Sequence, residues 1–70
     1  MGLTVKQWRL AKGYSQDYMA EKCHVHRNTY AAWEENPEKI SVKNAKTIAA
    51  VLGESIDRVF FNTSTLQNVE

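Results

Sequence analysis

The run Arg27-Asn28-Thr29-Tyr30-Ala31-Ala32 carries side chains suited to reading the edge of a base pair. A guanidinium fork can bond the O6 and N7 of guanine, a carboxamide can do the same to adenine, and Thr and Ala methyls fit closely against the methyl of thymine. If the run is helical, Tyr30 and Trp33, three apart, face one side and anchor the helix from below. Arg27, Asn28, Thr29, Ala31 and Ala32 are then left on its other faces as candidate base contacts.

The residues before this run must position it. Ser15 can open a preceding helix by accepting an unpaired backbone N–H, and that helix should bury Met19, Ala20 and Cys23. Position 24 must end it, a place that commonly needs a left-handed backbone usually supplied by Gly and tolerated by few other residues, His among them. Val25 then points back into the core, and His26 stands where the second helix needs its N-cap. Two short helices joined by so tight a turn can put the start of the second into a DNA major groove.

The rest of the chain supplies a platform. A first helix is predicted from Thr4, with Gln7 completing a capping box, Val5 and Trp8 buried, and Lys12-Gly13 at its end. A fourth begins at Ser41, buries Val42, Ala45, Ile48, Ala49 and Leu52, and stops at Gly53. A fifth begins at Ser55, carries Asp57 in its first turn, where the dipole favours negative charge, and presents Ile56, Val59 and Phe60. No segment alternates as a strand would. The expected architecture is all-α: five short helices around one centre, a single domain over residues 1–61, and a polar tail over 62–70.

At this point the chain resembles a known family, the helix-turn-helix regulators typified by the lambdoid phage repressors and Cro proteins. The resemblance rests on Arg9, Lys12-Gly13-Tyr14-Ser15-Gln16, Met19-Ala20, Val25, Arg27-Asn28-Thr29-Tyr30, Trp33-Glu34 and Leu52-Gly53, and covers about the first 61 residues. It implies a compact lambda-repressor-like domain whose second and third helices form the helix-turn-helix. It also implies that Gln16 contacts a phosphate and braces the recognition helix, and that Arg9 and Glu34 form a buried ion pair tying helix one to helix three. The sequence departs from the family pattern at three places: His24 replaces the usual Gly, His26 the usual Ser or Thr, and Asn36-Pro37 stands where Asn-Gly is common.

Charge is less telling in its sum than in its distribution. The formal net charge is +1, low for a binder whose affinity would come from cations against phosphates. Lys39, Lys43 and Lys46 nevertheless cluster after the recognition helix, beside Asn44, with Lys22 near the end of the second helix. Glu54, Asp57 and Glu70 fall towards the other end of the chain. The pattern suggests a basic face opposite a more acidic back; with what the resemblance implies for Gln16, the expected phosphate contacts are Ser15, Gln16, Lys22, His26, Lys39, Lys43, Asn44 and Lys46.

Other chemistries find little support. Cys23, His24 and His26 crowd together like metal ligands, yet no further Cys or His exists to close a tetrahedral zinc site. A Cys/His nucleophile would need a pocket and an oxyanion-binding loop that no motif suggests. Trp8 and Trp33 fall in core phase, so they are not stacking platforms. The chain is expected to be no enzyme and to hold no metal or cofactor. One cysteine forbids an intrachain disulfide and fits a reducing cytoplasm, and there is neither a signal-type apolar run nor a transmembrane span.

Two functions from different classes follow. The first is a sequence-specific, double-stranded DNA-binding transcriptional regulator, a phage or bacterial Cro-like repressor. It would bind an inverted-repeat operator as a homodimer, with Phe61 and Arg58 at the dimer interface. The second is an interaction module of the same fold that modulates another regulator or acts as an antitoxin-like partner. The intact set Gln16, Arg27, Asn28, Thr29 favours the first.

Overall fold

A computed structural model describes residues 2–61, and every regular element among those residues is helical, with no strand. Four α-helices come first: α1 (Val5–Lys12), α2 (Gln16–Cys23), α3 (Arg27–Glu35) and α4 (Val42–Leu52). A 3-10 turn, Pro37–Lys39, joins α3 to α4. A short terminal helix with π-type hydrogen bonding, α5, covers Asp57–Phe61. The expected tail from Asn62 to Glu70 lies outside the described residues.

Local chemistry sets the helix boundaries. At the start of α1 the Thr4 hydroxyl accepts the Gln7 N–H at 3.1 Å while the Gln7 side chain accepts the Thr4 N–H at 2.9 Å. That reciprocal box satisfies two N–H groups that the helix itself cannot pair. Ser15 and Ser41 cap α2 and α4 through the N–H groups of Tyr18 and Asn44. The Ser55 hydroxyl accepts the Arg58 N–H at 3.1 Å and so opens α5. Gly13 and Gly53 close α1 and α4 at φ 78° and 76°, the left-handed region that a Cβ disfavours.

These boundaries turn one face of each helix inward. The core comprises Val5 and Trp8 from α1, Met19, Ala20 and Cys23 from α2, Tyr30 from α3, Ile48, Ala49 and Leu52 from α4, and Val59 from α5. Tyr14, Val25, Trp33, Ile40, Val51, Ile56 and Phe60 pack half-buried against it. Tyr30, Met19, Ile48 and Leu52 are fully enclosed, and burying a side chain of that size contributes roughly 1.5–3 kcal/mol. Helix α2 lies against both α3 and α4, so the helix-turn-helix rests directly on the centre of the domain.

Val42 departs from the expected core. It is 65% exposed, although its spacing from Ala45 and Ala49 matches the buried stripe. As the first residue of α4 it has no preceding turn to cover it, and a helical side chain leans towards the N-terminus. Val42 therefore reaches past the end of the core, into a groove shared with Pro37, Ile40, Phe60 and Phe61.

Candidate nucleic-acid interface

The turn between α2 and α3 is built around two histidines. His24 ends α2 in the left-handed conformation, φ 60° and ψ 41°, and its N–H reaches back to the carbonyls of Ala20 and Glu21. Val25 donates its N–H to the Ala20 carbonyl at 3.0 Å and tucks its side chain against the core. His26 then caps α3: its Nδ1 accepts the Asn28 N–H at 3.1 Å. An accepting Nδ1 needs its lone pair, which leaves Nε2 as the nitrogen that can carry a proton and donate outward.

Below the recognition helix lies a polar brace. Arg9 Nε donates to Glu34 Oε2 at 2.6 Å and Nη2 to Oε1 at 3.3 Å, while Nη1 holds the Tyr14 carbonyl at 2.9 Å. Gln16 Nε2 donates to Glu34 Oε1 at 3.0 Å, so one carboxylate joins α1, the start of α2 and the end of α3. Both members of the ion pair are buried, with side chains 8% and 3% exposed. The bond to Glu34 raises the Arg9 guanidinium above its ordinary value. Burial pushes the Glu34 carboxyl up, but Arg9 first, then the nearby Tyr30 hydroxyl and Gln16, outweigh burial and hold it below the usual carboxylate range. Tyr30 is buried beside this carboxylate, and its phenol is pushed well up, first by burial and then by the approach of its hydroxyl to Glu34 and the negative charge there. Its hydroxyl forms no well-aligned hydrogen bond to a described residue.

With Tyr30 beneath, the first turns of α3 stand in solvent. Arg27, Asn28, Thr29 and Ala32 are exposed and Ala31 is half-buried. Asn28, Thr29 and Ala32 line a shallow open groove with Trp33, Asn36 and Lys39. Trp33 thus has two surroundings: one against the core, edge-on to Tyr30 with ring centroids 6.1 Å apart, and one in this groove.

The proposed phosphate-contacting side chains divide by what already engages them. Ser15 and His26 accept backbone N–H groups as caps, Gln16 is bonded to Glu34, and Lys22 lies over the Tyr18 ring at 5.5 Å. Lys39, Lys43 and Lys46 are exposed, and Asn44 is half-buried in the first turn of α4.

The expected division into a basic face and an acidic back is less clean than the sequence suggests. Glu54 is bridged by Lys12 at 3.0 Å and by Arg58 at 3.4 Å, so it is not a bare acidic site. Exposed acids also stand near the recognition helix: Asp17 pairs with Arg27 at 3.2 Å, Glu35 ends α3, and Glu38 lies in the same turn as Lys39. Asp17 is absent from the candidates suggested by sequence. Its nearness to Arg27 depends on how α2 crosses α3, which periodicity within either helix does not encode.

The cluster Cys23, His24, His26 does not gather into a metal-binding group, nor does any other set of His, Cys, Asp and Glu among the described residues. Cys23 faces the core, where burial pushes its thiol up and disfavours the reactive thiolate. No helix among the described residues is long and apolar enough to cross a membrane.

An exposed, capped recognition helix lying across a second helix at a tight turn is the arrangement of helix-turn-helix DNA-binding proteins. A helix-turn-helix family model matches residues 5–59. The chain belongs to that family, the XRE-type helix-turn-helix regulators with a Cro/repressor-like domain. No curated protein and no solved structure matches the chain. This membership makes the protein a DNA-binding transcription regulator, and its family is a regulatory one, generally without enzymatic activity.

Proposed function

We propose that the protein is a Cro-like operator-binding repressor of bacterial or phage origin, acting in the cytoplasm through the domain formed by residues 1–61. The observation that carries this reading is the exposed first turn of α3, held by the His26 cap and backed by the Arg9–Glu34–Gln16 brace. Arg27 and Asn28 reach base edges from the end of the helix that enters the groove deepest, with Thr29, Ala31 and Ala32 against thymine methyls. Ser15, Gln16, Lys22, His26, Lys39, Lys43, Asn44 and Lys46 hold the phosphates on either side.

The protein binds as a homodimer. Val42, 65% exposed, opens onto a groove lined also by Ile40, Phe60 and Phe61, and a two-fold partner seated there would bring Phe61, with Arg58 three residues before it on α5, to the interface. Two recognition helices then meet successive major grooves roughly 34 Å apart, and the operator carries inverted half-sites one helical turn apart.

Selection from random duplexes at physiological salt tests this reading. It should return an inverted repeat whose half-site preference changes with Arg27→Ala and Asn28→Ala. A pool with no enriched motif would instead favour an interaction module that binds another regulator.

A further inference from the structure

We propose that Asp17 is a positioning residue for base readout: it holds the Arg27 guanidinium by one edge so that the other edge is presented to guanine. The proposal rests on the reading of Arg27 as a base contact.

Asp17 and Arg27 come from different helices. Asp17 Oδ1 lies 3.2 Å from Arg27 Nε, with side chains 77% and 59% exposed, so the pair bridges the starts of α2 and α3 at the surface. The contact is an ion pair at Nε with no aligned hydrogen bond, and it leaves Nη1 and Nη2 facing away from the carboxylate contact. Those two nitrogens form a fork that can meet the O6 and N7 of guanine together.

Arginine has a long side chain with about 2 kcal/mol of rotamer entropy, and a loose one spends little time aimed at any base. Asp17 is short, and the Ser15 cap fixes the backbone that carries it. It stands in the first turn of α2, where the helix dipole favours a negative charge. The carboxylate therefore directs the guanidinium from a stiff base.

The same carboxylate works against affinity. A negative charge at the DNA face opposes binding to every phosphate backbone alike, whatever the sequence. Asp17 thus trades general affinity for discrimination, a combination that a merely structural ion pair would not produce.

The test compares wild type with Asp17→Ala, Asp17→Asn and Arg27→Ala. Binding to the selected duplex, to the duplex altered at the base pair sensitive to Arg27, and to a random duplex is measured at one salt concentration. Asp17→Ala should reduce discrimination at that base pair by about twofold to fivefold, the range for an exposed ion pair, and raise affinity for the random duplex. Asp17→Asn keeps the size of the side chain but loses the charge on which the pair rests, and should lose discrimination much as Asp17→Ala does. In the Arg27→Ala background, Asp17→Ala should not change discrimination at that position.

Undiminished discrimination in Asp17→Ala, with a clear loss in Arg27→Ala, overturns the proposal and leaves the base-contact reading standing. A lower melting temperature with unchanged base preference overturns it as well, by making the pair structural. If Arg27→Ala itself leaves every preference unchanged, the reading of Arg27 fails first and the role of Asp17 falls with it.

Discussion

Arg9 and Glu34 meet across 2.6 Å with both side chains buried, joining the first helix to the recognition helix through a contact 25 residues apart in sequence. A pair so enclosed has little water to replace either partner. Glu34→Ala would leave the Arg9 guanidinium buried and uncompensated, and would also release Gln16 from α3. The expected loss is about 3–5 kcal/mol, a large share of the stability of so small a domain. Thermal or urea unfolding measures it directly. A loss below about 1 kcal/mol would mean that the pair behaves in solution as a solvated one.

The same pair gives stability a pH dependence of known sign. Glu34 is held below its unfolded value, so the folded protein binds its proton less readily than the unfolded chain does. Its contribution is complete above the ordinary carboxylate range, at neutral pH included, and is lost as pH falls through the lowered folded value. Urea midpoints measured from neutral pH downward should decline in that acid window for wild type. Glu34→Gln, less stable at neutrality, should show a shallower decline, because the group responsible has been removed.

The parts of the fold that were legible in the sequence are those fixed by near neighbours. Thr4, Ser15 and Ser41 cap the N–H groups three residues on, and Gly13 and Gly53 end helices through their own backbone freedom. Such contacts lie within one turn of chain, so spacing reveals them. Val42 fits the same spacing and is exposed, because periodicity reports the face of a helix and not where along its axis the core stops. In the candidate site, the His24 turn and the His26 cap are equally local and equally legible. The bond from Gln16 to Glu34 and the pairing of Asp17 with Arg27 depend on the crossing of two helices, which no single helix encodes: the first is reached only through the family resemblance, the second not at all.

His24 gives a separate prediction about strain. It is the only described residue other than glycine with positive φ, at 60°, and its side chain is exposed. A Cβ in that region costs about 1–2 kcal/mol, part of which His recovers by tolerating the left-handed backbone better than most residues. His24→Gly removes the clash while adding freedom to the unfolded chain. The balance should be stabilisation by about 0.5–1 kcal/mol, with DNA binding unchanged. Unfolding midpoints and operator titrations check both halves, and a destabilised His24→Gly would show that the histidine ring makes a contact worth more than the strain.

Lys43 separates affinity from specificity. It is exposed near the start of α4, on the chain segment that follows the recognition helix, and the proposed role is a phosphate contact. Removing one such contact should weaken selected and random duplexes by a similar factor and reduce the slope of log K against log salt by about 0.9. Titrations at several salt concentrations give that slope. If Lys43→Ala instead altered the preferred motif and left the slope alone, the lysine would belong among the base contacts.

The dimer prediction turns on the apolar groove between the 3-10 turn, the start of α4 and α5. Val42 is 65% exposed there and Phe61 45%, so polar replacement of Val42 removes little from the core and tests the surface with small risk to folding. Phe61→Ser probes the same patch from the other side. If a second copy covers it, both substitutions should lower dimer content in sedimentation and abolish the cooperative step on a full operator. Binding to an isolated half-site should stay close to wild type, because the recognition helix lies elsewhere. Melting temperatures serve as the control: Val42→Ser should unfold within a few degrees of wild type. If both variants keep wild-type cooperativity on the full operator, the two-fold axis must lie on another face. If Phe61→Ser unfolds while Val42→Ser associates normally, Phe61 belongs to the support of α5 and not to an interface.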